Sequence, residues 1–181
     1  MDQHALLGGS VLKLVLEAAL VMGTPGPSTI AVMAAGAAFG IRRSLSFASG
    51  AVAGTVVVLL AVAIGAVAIL LAVPALGFGL SVAGAIYVLY LAFKMATAPP
   101  LSERATAAPA PAFAAGLVLA VTNPKAWFAI AAVFTGTNLA GPSSALDALS
   151  KTVTLAVMIA VIHLGWLIAG VSVAGFVRDP L

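Results

Sequence analysis

Two short segments of this sequence combine residue types that can hold a small charged molecule. They are Thr24-Pro25-Gly26-Pro27-Ser28 and Asn123-Pro124-Lys125, with Thr24 and Asn123 lying 99 residues apart. In a helix, a proline lacks the N–H that reaches the carbonyl four residues back, and its ring crowds that carbonyl. Pro25, Pro27 and Pro124 therefore free the carbonyls of Val21, Gly23 and Ala120. Thr24 and Asn123 are good N-cap types, which puts Pro25 and Pro124 at the first helical position, where proline is favoured. Each segment predicts the end of one half-helix and the start of the next. Carbonyls attract a cation and a helix N-terminus attracts an anion, so such a break suits a zwitterion.

Three ionisable residues add to this chemistry. About twelve apolar residues precede Lys125 in its stretch; that depth favours a cavity or a partner carboxylate over snorkelling to a surface. Glu17 and His163 are the proton-coupling candidates. Glu17 lies eight residues before Pro25, where an apolar setting can keep a carboxyl protonated. Pairing with Lys13, one helical turn back, is the plainer reading of Glu17. Histidine exchanges protons near neutral pH, although a lone histidine in an apolar helix more often just bonds to a neighbouring helix.

The elements that must carry these residues follow from composition. The chain has 181 residues, 63% hydrophobic and 7% charged, with eight Lys/Arg, five Asp/Glu and no cysteine. Its mean hydropathy is +1.23. A soluble domain carries about 25% charged residues, so this composition excludes a soluble enzyme and a nucleic-acid-binding module. It predicts an all-α integral membrane protein that needs no cofactor. The pI of about 9.7 fits basic cytoplasmic loops. Without cysteine there is no disulfide or thiol relay.

A span needs about 20 apolar residues. Between Arg43 and Lys94 lie fifty residues without Asp, Glu, Lys or Arg, enough for two. Five transmembrane helices are predicted, at roughly 6–39, 44–72, 79–97, 112–137 and 147–177. Pro99, Pro100, Pro109 and Pro111 mark a Pro/Ala-rich cytoplasmic linker over 98–111. Lys13 and Glu17 interrupt the first apolar run, which argues against a cleaved signal peptide. Arg42, Arg43, Lys94, Arg104 and Arg178 share one side, against Lys151 on the other. The positive-inside rule then puts the N-terminus outside and the C-terminus in the cytoplasm.

A shift of 99 residues lays the first helix on the fourth and the second on the fifth. Units of three helices have opposite insertion, so the two broken helices predict inverted repeats, the pattern that marks a transporter site. Residues 1–97 form the first repeat and 112–181 an incomplete second one, with the sixth helix missing. Gly36/Gly40 and Gly50/Gly54, with Gly165, Gly170 and Gly175, read as close helix contacts. Tyr87, Tyr90 and Trp127 read as interface or packing residues.

Several of these segments together resemble the LysE/RhtB family of amino-acid exporters. They are Thr24-Pro25-Gly26-Pro27-Ser28, Gly40-Ile41-Arg42-Arg43-Ser44, the run from Gly84 to Lys94, and Asn123-Pro124-Lys125-Ala126. The resemblance implies an inner-membrane secondary transporter that exports an amino acid or close derivative by proton antiport. It also implies a six-helix protein, so this chain departs by ending after the fifth; a homodimer is one way to complete it. The family pattern has an acidic or amide residue where this chain has Thr55, which weighs against a basic cargo. The expected partners are a small amino acid and the lipid bilayer, with no nucleic acid. A metal-ion exporter would need clustered ligands, whereas His4 and His163 are isolated. A hydrolase would need a Ser/His or paired-Asp arrangement. A non-transporting membrane assembly protein is disfavoured by the matched breaks.

Overall fold

A computed structural model describes residues 3–65, 110–139 and 144–178, with isolated positions between 72 and 93. The expected third helix and linker lie largely outside the described residues. Among the described residues every regular element is helical. These are α1 (Gln3–Glu17), a π-helical turn (Ala18–Met22), α2 (Pro27–Ala63), α3 (Phe113–Val121), α4 (Pro124–Gly136) and α5 (Ser144–Arg178).

The first break forms as the prolines require, but its cap falls two residues later than expected. The π turn closes with the Gly23 N–H on the Ala18 carbonyl at 3.2 Å. Gly26, and not Thr24, is the N-cap, extended at φ −158° and ψ 175° with Pro27 just inside the helix. A residue before proline is driven to extended backbone, so Pro27 imposes cap geometry on Gly26. Thr29 completes the cap, its hydroxyl accepting from the Gly26 N–H at 2.9 Å and donating to the Gly26 carbonyl at 3.1 Å. The two caps that form, Gly26 and Asn123, thus stand 97 residues apart, against the expected 99 between Thr24 and Asn123.

Gly40 folds α2 back on itself. Its φ of 73° and ψ of 174° are non-helical, a left-handed φ that glycine adopts without a Cβ penalty. The Ser44 hydroxyl then donates to the Ala35 carbonyl at 2.8 Å. In a continuous helix, residues nine apart are separated by about 13.5 Å along the axis, so residues 27–39 and 41–63 are two arms of a hairpin. The second arm ends at Ala63, short of the expected 72, because Gly65 turns the chain at φ 88°. Hydropathy does not register such a turn, since glycine barely lowers an apolar average.

Small residues bring the backbones together. A Cβ on Gly116 of α3 would lie 2.1 Å from the Phe47 carbonyl oxygen, and one on Gly50 would lie 2.0 Å from that of Phe113. A Cβ on Gly170 of α5 would lie 1.9 Å from the Met33 carbonyl oxygen. Gly36, Gly50, Gly54 and Gly170 are thus contact glycines, whereas Gly165 and Gly175 face open space among the described residues.

Two apolar clusters form the core. One joins Leu14, Met22, Val58, Leu59, Ile130, Val133, Leu155 and Ile159, and the other joins Val32, Ala35, Phe47, Ala51, Leu119 and Leu167. Each chain path passes from one cluster to the other, and at each crossing a buried polar residue appears: Ser28 and Thr29, Thr55, Asn123, and His163. The polar residues therefore form a layer between two apolar ones. Outside, Val153, Val157, Val161, Leu164 and Ile168 form an exposed stripe along α5, a surface suited to lipid. Ala145–Gly175 is long and apolar enough to cross a membrane, the equally apolar Pro27–Ala63 is divided between its two arms at Gly40, and α3 and α4 form a pair bent by 62°.

Candidate functional site

The two breaks, nearly a hundred residues apart in sequence, touch each other. Asn123 caps α4 as expected, its Oδ1 accepting from the Lys125 N–H at 3.1 Å. Its amide Nδ2 reaches across and donates to Ser28 Oγ at 2.9 Å, and both side chains are buried. Lys125 crosses in the same direction. Its Nζ donates to the Thr24 carbonyl and, at 3.3 Å, to that of Pro25. The lysine stem lies where a Gly26 side chain would be, since a Cβ there would sit 2.6 Å from Lys125 Cδ. The ammonium thus rests at the carbonyl end of one break, while α2 and α4 begin beside it with their N–H groups.

A cleft opens along this seam, with about 410 Å³ of empty space including its open side. Of the expected site residues, Gly26, Ser28, Asn123 and Lys125 line it, as does His163. Thr24 and Pro25 contribute carbonyls to Lys125 instead of lining the cleft, and Pro27 and Pro124 set the helix starts. Sequence reasoning left out Thr29 and Thr55 from this lining. Thr55, singled out earlier only through the family resemblance, comes into place beside Thr29 because Gly40 reverses the chain.

The carbonyls expected to be free are occupied. Thr24 Oγ1 donates to the Val21 carbonyl at 2.9 Å, and Trp166 Nε1 to that of Gly23 at 3.2 Å. Trp127 makes the matching contact at the second break, donating to the Val121 carbonyl at 2.8 Å. Both tryptophans of the chain therefore hold the carbonyl end of a half-helix.

Glu17 lies outside the cleft. It pairs with Lys13 at 3.6 Å and accepts from the Thr137 hydroxyl at 2.8 Å, while Lys13 donates to the Gly136 carbonyl at 3.2 Å. Lys151 is buried in α5. It pairs with Asp147 at 2.6 Å and lies 5.2 Å over the Phe134 ring. Asp147 also holds the Leu139 N–H at 2.5 Å. The segment after α4 is thus clamped from both sides by ion pairs. Among the described residues no three His, Cys, Asp or Glu side chains gather as metal ligands.

Interrupted helices that meet in a buried polar layer beside a cleft define a helical membrane protein. The chain belongs to the LysE type translocator family, whose model matches residues 19–179. Cysteine/O-acetylserine efflux proteins of Salmonella choleraesuis and Salmonella typhimurium are 40% identical to it over 86 residues, or 48% of this chain and 44% of theirs. The match spans less than half the length of these relatives. An uncharacterized membrane protein of Pseudomonas aeruginosa is 31% identical over 176 residues, covering 91% of this chain and 81% of that protein. No solved structure matches the chain significantly.

Proposed function

We propose that the protein exports an amino acid or close derivative across the bacterial inner membrane, by alternating access and in exchange for protons. The observation that carries this reading is the seam itself: Lys125 and Asn123 of one broken helix bind the other break across a cleft. An arriving zwitterion replaces both ends of an existing contact. Its carboxylate takes Lys125 and the helix N-termini, and its ammonium takes the Thr24 and Pro25 carbonyls that Lys125 releases. No acidic side chain lines the cleft among the described residues, which favours a cargo without a basic side chain. The relatives' printed cargoes, cysteine and O-acetylserine, are small polar amino acids of this kind.

The repeats 1–97 and 112–181, joined through 98–111, move against each other about the seam, with the N-terminus outside and the C-terminus in the cytoplasm. Of the two acid–base groups, His163 faces the cleft and Glu17 is engaged by Lys13 and Thr137.

Cells overexpressing the protein should resist toxic amino-acid analogues and empty a labelled amino acid faster than controls. Lys125→Ala should remove both effects while the protein still inserts in the membrane. Unchanged resistance in Lys125→Ala would overturn the seam as the cargo site.

A further inference from the structure

His163 is 5% exposed on α5, and its ring is held through Nδ1, 2.8 Å from the Ile159 carbonyl. A carbonyl oxygen only accepts, so Nδ1 carries the hydrogen and the neutral ring leaves Nε2 as a bare acceptor. Nε2 is buried without a partner among the described residues, although the ring lines the cleft. An unmade hydrogen bond in such a place is costly. The hydrogen bonds of the lining side chains run elsewhere, the Thr55 hydroxyl to the Ala51 carbonyl at 2.8 Å, an Asn123 amide N–H to Ser28, and Lys125 to the first break, and none reaches Nε2. The rest of the lining around the ring is apolar, including Met22, Ile130 and Ile162. Among the described residues no donor reaches Nε2, and the cleft beside it has room for one brought by a bound molecule.

We propose that Nε2 of His163 is the atom at which cargo and proton exclude each other. In the loaded protein it accepts a hydrogen bond from a hydroxyl or thiol on the cargo side chain. In the empty protein facing outward it takes a proton from water, forming an N–H bond on Nε2. That bond breaks when the cleft faces the cytoplasm, where the proton returns to water and the neutral ring can accept the next cargo. One lone pair cannot serve both, so binding either displaces the other.

The charges facing the ring support this exclusion. Among the described residues, α1 and the π turn contribute Met22, α2 contributes Ser28, Thr29 and Thr55, and the α4 end contributes Asn123 and Lys125. Lys125 is the only charged residue of that set. A protonated His163 therefore makes a second cation in a cleft with no lining carboxylate, which also opposes the cargo's ammonium. This inference rests on the export reading and adds to it the class of cargo, small amino acids with a side-chain hydrogen-bond donor.

The test uses the purified full chain in proteoliposomes, with serine against alanine and cysteine against 2-aminobutyrate between about pH 5.5 and 8, the range in which histidine titrates. The wild type should prefer each donor-bearing amino acid by roughly tenfold or more, since a site built for a hydroxyl rejects the analogue lacking it. That preference should shrink in acid. His163→Phe should bring the two KM values together and flatten the pH dependence of their ratio. His163→Gln keeps an acceptor that does not titrate, so it should retain the preference and lose its pH dependence. A His163→Phe protein with the wild-type ratio and profile overturns the inference. If His163→Phe does not fold, a His163→Gln protein with an unaltered pH profile overturns it equally. A wild-type chain that moves no amino acid at all overturns the export reading instead.

Discussion

Asn123 works in two directions at once, and this makes it the residue on which the seam most depends. Its carbonyl oxygen caps α4 through the Lys125 N–H, and its amide bonds Ser28 on α2. Asn123→Ala removes both, at a cost of about 1–2 kcal/mol for the cap and roughly 1–3 kcal/mol for a buried Ser28 left unpaired. Asn123→Asp keeps the cap acceptor, and Ser28 can turn its hydroxyl to donate, so its cost should be smaller. Thermal unfolding in detergent should rank the proteins wild type, then Asp, then Ala; an Ala variant as stable as wild type would show that the seam contributes nothing to stability. The Asn-Pro pair made the cap legible in the sequence, because capping is local chemistry. Ser28 as the partner was not legible, since no periodicity relates residues on different helices. Lys125 stood out as a charge within an apolar stretch, yet its rest position on the Thr24 and Pro25 carbonyls depends on Gly26 leaving room for the stem.

Elements are set here by glycine and proline more than by any charged residue. Gly116 and Gly50 face backbone carbonyls of the opposing helix at distances no Cβ can occupy, whereas Gly165 sits in a helix with open space beside it. Gly116→Ala must therefore separate α3 from the second arm of α2, overpacking that costs about 1–3 kcal/mol. Gly165→Ala meets nothing among the described residues and gains helix propensity, about 1 kcal/mol in the stabilising direction. Melting temperatures measured in the same detergent should move in opposite directions for these two variants. A fall of equal size in both would mean that the close approach at Gly116 does not govern packing. Spacing alone predicted contact roles for Gly36, Gly40, Gly50 and Gly54 alike. Three of them keep that role, while Gly40 makes the turn that creates the hairpin. A small residue in an apolar run reads the same for both uses, and only the backbone angles separate them. The ion pairs tell a similar story. Lys13–Glu17 and Asp147–Lys151 each have the i,i+4 spacing visible in sequence, but the segment from Gly136 to Leu139 that they jointly hold is defined by the fold.

For the molecule as a whole, a polar layer lies between two apolar clusters, with apolar side chains facing outward along α5. The cleft lies at the level of this polar layer, between the two clusters. Alternating access then requires that one residue of the layer be reachable from the outside in one state and from the cytoplasm in another. The absence of cysteine makes this measurable, because a single introduced thiol is the only one in the chain. Thr55 is the suitable position: it is buried, it lines the cleft, and its hydroxyl bonds only its own helix at Ala51. A Thr55→Cys protein in sealed vesicles should react with a membrane-impermeant maleimide from either face, depending on the direction of the imposed proton gradient. Saturating amino-acid cargo should slow the reaction several-fold, because cargo and reagent compete for one space. Val161→Cys, on the exposed apolar stripe of α5, should react poorly whatever the gradient, since the reagent does not enter lipid. Labelling of Thr55→Cys from one face only, unaffected by gradient and cargo, would mean that the cleft is a fixed pocket. In that case the two broken helices meet to stabilise the bundle and not to move cargo through it.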